Sequence, residues 1–343
     1  MESPEILAAK LLIAATEVRV SLLENAGARG WRMAPAVWTG AEPLALLHSG
    51  GRVFAAADDG LWLGRESQHR SGPPRFGWER LPGVPQSKIS FLAGGGPVLY
   101  AAGNGGSLLV SRDWGANWAA SDGLKKAVES GTPEVQAMGL DPARPAIIAA
   151  ALEGGAILLS TDYGETWNTV GKAPSPVVSL EVSYYRREDV VYAATASGFF
   201  KGRALDVPRR ASRSLEESWQ FSNGGLTMTH CTAMAVRRVR GETILLACVD
   251  ENGGGASPAE APISRGEGGA IFRSVDYGAR WERVRGGLPE PAPRFTALCY
   301  DRADPFVAFA GTADGAIYYC TEAGDSWHPL FSGLAPIRAL LAL

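Results

Sequence analysis

The sequence is poor in the residues that most often announce chemistry. Its 343 residues hold four cysteines, at 231, 248, 299 and 320, with no C-x-x-C spacing. No redox dithiol or cysteine-based metal site is encoded, and reduced, buried thiols of a cytosolic protein are expected. The four histidines, His48, His69, His230 and His328, are scattered and lack metal-ligand spacing. The glycine runs at 94–96 and 253–255 read as turn and linker, not as strand-to-helix phosphate loops. No metal and no other cofactor is expected. A net charge of −3 gives no bulk attraction to nucleic acid. No apolar run approaches the roughly 18 residues of a membrane span. The opening stretch MESPEILAAKLLIAATE has no basic n-region, and Lys10 interrupts its apolar run. A cytoplasmic location without membrane insertion is the expectation.

What the sequence has instead is repetition. SRDWGANW (111–118), STDYGETW (160–167) and SVDYGARW (274–281) share the pattern S-x-D-x-G-x-x-W. CTEAGDSW (320–327) is a worn fourth copy, with Cys320 for Ser and Glu322 for Asp. Seven short apolar segments resemble VLYAAG, starting at Leu11, Arg52, Val98, Ala146, Val190, Ile244 and Val307. Most lead through a glycine-bearing turn, which supplies the positive φ of a tight hairpin, into another strand. A tryptophan then closes each unit, at 31, 78, 118, 167, 219, 281 and 327, with successive spacings of 47, 40, 49, 52, 62 and 46 residues.

Six units are preceded by a further apolar strand, near 43, 89, 135, 177, 231 and 294. Four strands recurring every 40–50 residues or so are the signature of a β-propeller blade. The first unit, near residue 11, lacks its opening strand, and IRALLAL (337–343) is an opening strand with no unit after it. The expected fold is all-β: one domain, residues 1–343, forming a seven-bladed propeller with four antiparallel strands per blade. Strand 337–343 closes the ring by completing the first blade, which removes exposed sheet edges.

Repetition also decides what the motif is for. Asp113, Asp162 and Asp276 can accept backbone N–H groups inside their own turns. Gly115, Gly164 and Gly278, with Gly324 in the worn copy, permit a left-handed backbone. Ser111, Ser160 and Ser274 can bond to the carboxylates, and Trp118, Trp167, Trp281 and Trp327 cover the hairpins. A catalytic carboxylate would not need copies around a ring, so these residues are read as structural. The motif resembles the Asp-box, or BNR repeat. That repeat occurs in sialidases, sortilin-type receptors, two-propeller xyloglucanases and the photosystem II assembly factors similar to Ycf48. The resemblance implies the propeller fold and leaves function open. The GGLP-like turns at 285–291 and 331–336 are most similar to those of the branch that holds the assembly factors and uncharacterised members.

A sialidase would need an arginine triad and an F/Y-R-I-P motif. The nearest fragment is PRFT at 293–296, in the wrong blade. A generic glycosidase needs only two facing carboxylates. Asp58, Asp59, Glu153 and Asp314 fall in turns on the channel face, and Glu129 and Glu134 in a loop there, each also an ordinary turn residue. Trp38 and Arg294 complete the candidates on that face. The segment 250–269, rich in Gly, Ala and Pro, projects there as a lid or a tolerated insertion.

On the opposite face the residue inside each intact D-x-G is aromatic: Trp114, Tyr163 and Tyr277. The unit between them replaces the motif with KGRALDVPRRASRSLEES (201–218), carrying Lys201, Arg203, Arg209, Arg210 and Arg213. Arg186, Arg187, Arg237, Arg238 and Arg240 add to the same side. Trp, Tyr and Arg are the types enriched in interface hot spots. The reading is a non-enzymatic scaffold or assembly subunit that binds a protein partner. The alternative is a glycoside-binding or glycoside-cleaving propeller.

Overall fold

Short apolar strands between glycine turns can bury both faces only by stacking sheet on sheet. In a computed structural model, describing residues 9–27, 30–67, 75–85, 87–103, 107–127, 134–173, 176–185, 188–203, 219–239, 242–250 and 268–343, the chain does so as a seven-bladed β-propeller. Each blade has four antiparallel strands. From the inside outward, blade 2 for example runs Pro43–Ser49, Arg52–Ala57, Gly60–Ser67 and Arg75–Arg80. Blade 1 takes its inner strand from the other end of the chain. Ile337–Ala342 pairs with Leu11–Thr16, with Leu12 opposite Ala342 and Ala14 opposite Leu340. The closure is fastened at both ends, where Lys10 N–H donates to the Leu343 carbonyl and Glu17 N–H to that of Pro336.

The core lies between blades. One cluster joins Ala149, Ile157 and Leu159 of blade 4 to Leu180, Val191 and Phe200 of blade 5. Another joins Phe309 and Ile317 of blade 7 to Ile337 and Leu340 of the closing strand. The alanine-rich second strands follow from this geometry. Ala55, Ala101, Ala150 and Ala193 are fully buried, covered on both faces where the blades converge and only small residues fit.

Two features lie outside the four-strand pattern. Ala36–Val37 adds a fifth strand to blade 2, parallel to its outer strand. Every inner strand also carries a β-bulge near its start, at the second residue in six strands and the third in His230–Val239: Leu44, Ser90, Gln136, Val178, Thr232, Thr296 and Arg338. Bulges at a barrel rim re-aim a side chain. Here several reach the next blade. The Gln136 carboxamide accepts from Val177 N–H at 3.4 Å, Thr232 donates to the Phe295 carbonyl at 2.7 Å, and Thr296 to that of Ile337 at 2.5 Å. Arg338 pairs with Glu17 and Glu42. The bulges therefore stitch the blades around one mouth of the channel.

The outer rim has its own joint. Gly225 and Gly287 lie at φ +88° and +74°, and a Cβ at either would strike the carbonyl oxygen of Trp281 or Trp327 in the next blade. Trp281 and Trp327 donate their N–H groups to Gly224 and Gly286. The Gly-Gly-Leu turns are sockets for the following blade's tryptophan.

Candidate functional site

The S-x-D-x-G-x-x-W turns form one face of the ring, and their geometry repeats closely. Ser111, Ser160 and Ser274 donate to the Asp113, Asp162 and Asp276 carboxylates at 2.8, 2.8 and 2.9 Å. The same hydroxyls accept the N–H of Gly115, Gly164 and Gly278 at 2.8, 2.8 and 2.9 Å. Each carboxylate also accepts a backbone N–H four residues on, from Asn117, Thr166 or Arg280, at 2.9 Å. These donors favour the ionised form. Backbone and side-chain bonds from Asn117 hold Asp113 down to about 2. At Asp162 desolvation opposes ionisation, but the Thr166 and Ser160 bonds outweigh it and the pKa is lowered. Asp276 is lowered in the same way, against desolvation, by Arg280 and Ser274.

The aromatic residue inside each turn is itself left-handed. Trp114, Tyr163 and Tyr277 have φ of 62°, 65° and 61°, and Ala323 of the worn copy has 53°. Such backbone is costly for a bulky residue. It is held from two sides. Trp114, Tyr163 and Ala323 donate their N–H groups to the carbonyls of Pro97, Ala146 and Phe306 in the adjoining turn of the same blade. The preceding blade supplies a cation to the turn's own carbonyl: Arg52 to Trp114, Lys201 to Tyr277 and Arg273 to Ala323.

The conformation presents two rings to solvent. Trp114 is 42% exposed and Tyr163 36% exposed, while Tyr277 is half-buried. Arg112 lies over the Tyr163 ring at 5.2 Å and pairs with Glu165 at 2.6 Å. Arg144 lies over Tyr184 at 4.2 Å, and Tyr184 is 37% exposed. Arg237 donates to the carbonyl of Arg302, and Arg302 to that of His48, joining blades 6, 7 and 2 past the end of the channel. Burial, then the nearby Arg302 guanidinium, lowers the His48 pKa, so the imidazole is neutral near pH 7. Arg238 is exposed beside them. Arg186, Arg187, Arg209, Arg210, Arg213 and Arg240 lie outside the described residues, as do Glu129 and 251–267 of the long insertion.

Candidates on the channel face are occupied by neighbours. Trp38 packs on Trp62 and Trp78, with centroids 5.2 and 5.3 Å away, and donates its Nε1 hydrogen to the Ala41 carbonyl. Asp59 accepts from Trp62 Nε1 at 2.9 Å, and Asp58 lies 3.9 Å from Lys88. Asp314 accepts from Thr312 within its own turn. Arg294 is 2.6 Å from Asp250, which lies 2.6 Å from His230 on its other oxygen. That trio, with His230 and Asp250 buried and Arg294 partly exposed, ties blade 6 to the start of blade 7. Among the described residues, no group of three or more His, Cys, Asp or Glu could hold a metal ion, and no helix is long and apolar enough to cross a membrane.

No protein-family profile and no curated protein sequence matches the chain. Solved structures do. A structure of Ycf48 bound to a D1 peptide is similar at 15% identity and TM-score 0.52, over 96% of this chain and 88% of that one. Ycf48 from Cyanidioschyzon merolae is similar at 13% identity and TM-score 0.51, over 85% and 86% of the two chains. The GH74 xyloglucanase from Xanthomonas campestris is similar at 17% identity and TM-score 0.60, over 97% of this chain. The chain spans about half the length of that enzyme, 54%. At these identities the likeness is one of fold.

Proposed function

We propose that the chain is a non-enzymatic scaffold whose S-x-D-x-G-x-x-W face, read as a set of Asp-box turns, docks an acidic segment of a partner protein. The observation that carries this reading is the pair of rings at Trp114 and Tyr163. Each is held exposed on strained backbone, and each has an arginine at its turn. Aromatic anchors supply desolvated contact area, and arginines steer an acidic chain toward them. Arg237 and Arg238 extend the basic character toward the channel, and the sequence expectation adds Arg209, Arg210 and Arg213, which lie outside the described residues. The Ycf48 structure with a bound D1 peptide supports peptide binding by this architecture. On the other face, Asp59, Asp250 and Asp314 are engaged in local bonds, which favours structural roles for them.

The test is fluorescence anisotropy with two labelled 20-residue peptides of equal apolar content, one acidic and one basic. The acidic peptide is expected to bind more tightly, with affinity that falls as salt rises. Arg209→Glu with Arg210→Glu should slow association and flatten the salt dependence. Trp114→Gly suits the left-handed backbone while removing the ring, so it should speed dissociation about tenfold or more in a protein that melts normally. Equal binding of the two peptides would defeat the proposal.

A further inference from the structure

The lining of the channel contains one feature that neither the turns nor the bulges account for. The fifth positions of the seven inner strands are Leu47, Ala93, Gly139, Glu181, Ala235, Cys299 and Leu341, counted from the residue before each bulge. Glu181 is the only acidic residue among them. It sits mid-strand in Val177–Tyr185, between Leu180 and Val182, both buried in the core shared with blade 4. Glu181 itself is half-buried. An innermost strand has no neighbour toward the axis, so a mid-strand residue with residual exposure gains it from the channel. Glu181 makes no hydrogen bond or ion pair with a described residue. The groups around it are Tyr192, its cross-strand partner, and Tyr300, whose hydroxyl its charge reaches. The nearest arginine on the adjoining inner strand is Arg237, toward the mouth on the turn face. None supplies the carboxylate with a cation or a donor.

We propose that the central channel is a binding site for a linear primary alkylammonium, whose charge Glu181 receives and whose tail lies along the aliphatic wall. Half-exposed Leu46, Leu47, Leu92, Met138, Leu298 and Leu341 form that wall. An uncompensated carboxylate among apolar groups is expensive unless a charge-assisted donor joins it, and an ammonium brings that donor together with its own charge. The two mouths differ in the way a cation requires. The turn-face mouth carries Arg237 and Arg302, whereas at the other mouth Arg338 is matched by two carboxylates, Glu17 and Glu42. Entry is therefore from the bulge side. Glu181 lies four residues inside the start of its strand, about 13 Å at the rise of an extended chain. A lysine side chain presented at the rim is too short to span that distance, which assigns the site to a free, unbranched amine.

Burial holds the Glu181 carboxyl up to about 8, so the empty site is mostly protonated at pH 7. Receiving an ammonium then expels that proton to solvent. Titration calorimetry with n-hexylamine, in two buffers of different ionisation enthalpy, should show net release of most of one proton per amine bound at pH 7. n-Hexanol, which keeps the tail but lacks the charge, should bind at least about tenfold more weakly. Glu181→Gln should abolish the proton release and weaken hexylamine at least about tenfold. That variant removes a half-buried ionisable group that has no partner among the described residues, so its melting is expected to be normal or improved, and loss of binding cannot be assigned to misfolding. No binding of hexylamine, or binding that Glu181→Gln leaves unchanged, would overturn the proposal. Peptide docking on the turn face is scored separately by anisotropy, so either proposal can fail alone.

Discussion

The intact turn at 160–167 and the worn turn at 320–327 solve the same problem with different atoms. In the first, a hydroxyl bonds to a carboxylate and accepts the Gly164 N–H, and the carboxylate collects two donors from Thr166. In the second, the Cys320 sulfur takes the hydroxyl's place, 3.0 Å from Gly324 N and 3.2 Å from Glu322 N. Glu322 is exposed. Yet Trp327 is fully buried, and its Nε1 hydrogen reaches the Gly324 carbonyl at 3.2 Å, matching Trp167 and Gly164 at 3.1 Å. The polar network is therefore replaceable, while the glycine and the tryptophan carry the shape of the hairpin.

The sharpest way to break that ranking is to remove the tryptophans. Trp327→Ala empties a fully buried site between blades 6 and 7 and should cost about 3–5 kcal/mol in urea unfolding. Trp118, in an intact turn, is only half-buried, and Trp118→Ala should cost about 1–2 kcal/mol. Equal costs would mean that the polar network, rather than tryptophan burial, sets the stability of each hairpin.

The turn carboxylates give a second contrast, visible against pH once a larger background is removed. Glu181 is raised in the folded protein, so the unfolded chain loses this proton first. Stability from this group is full below the unfolded value of 4.5 and declines as pH rises to about 8. The swing is on the order of 2 kcal/mol after allowing for the partial exposure of Glu181. Glu181→Gln should flatten that limb. What remains should be the opposite trend at acid pH. Asp113, Asp162 and Asp276 have depressed values, so their contribution is present above the unfolded 3.8 and is lost as pH falls through their lowered folded values, about 2 for Asp113. Asp162→Ala should cost about 1–2 kcal/mol at pH 7 and progressively less as the pH falls below its lowered folded value. Glu322→Ala should cost less than about 0.5 kcal/mol at either pH.

The same contrast explains what was legible in the sequence. The S-x-D-x-G-x-x-W spacing is fixed by one turn's hydrogen bonds, so its copies could be counted. With the alanine-rich strands, they led to seven blades and the closing strand. The bulges were invisible because their side chains, from Leu44 to Arg338, share no chemical type, and only the register defines them. The left-handed φ of Trp114 and Tyr163 was hidden because only glycine announces that conformation. The fifth strand Ala36–Val37 follows a proline and is too short to show a period. Tyr184 and Arg144 were missed because one lies near the end of an inner strand and the other sits in a neighbouring blade's turn, and no spacing links them. Glu181 sits within VVSLEVSYY, and nothing local tells that the fifth positions of the other inner strands carry no acidic residue.

The smallest effect separates the two turns atom by atom. Cys320 is fully buried, and burial, partly offset by N–H groups from the turn, raises its pKa, so the thiol stays neutral. Cys320→Ser alone supplies a better acceptor to Gly324 but also a hydroxyl hydrogen that, in the intact turns, goes to an aspartate. With glutamate at 322 that partner is absent, and the single change should destabilise by up to about 1 kcal/mol. Cys320→Ser with Glu322→Asp rebuilds the pattern seen at Ser160 and Asp162 and should recover the loss. The coupling energy across this double-mutant cycle is then about 1 kcal/mol in favour of the pair. Additive single effects would show that the hydroxyl and carboxylate of the intact turns act independently. The sulfur in the worn copy would then be an equal solution rather than a weaker one.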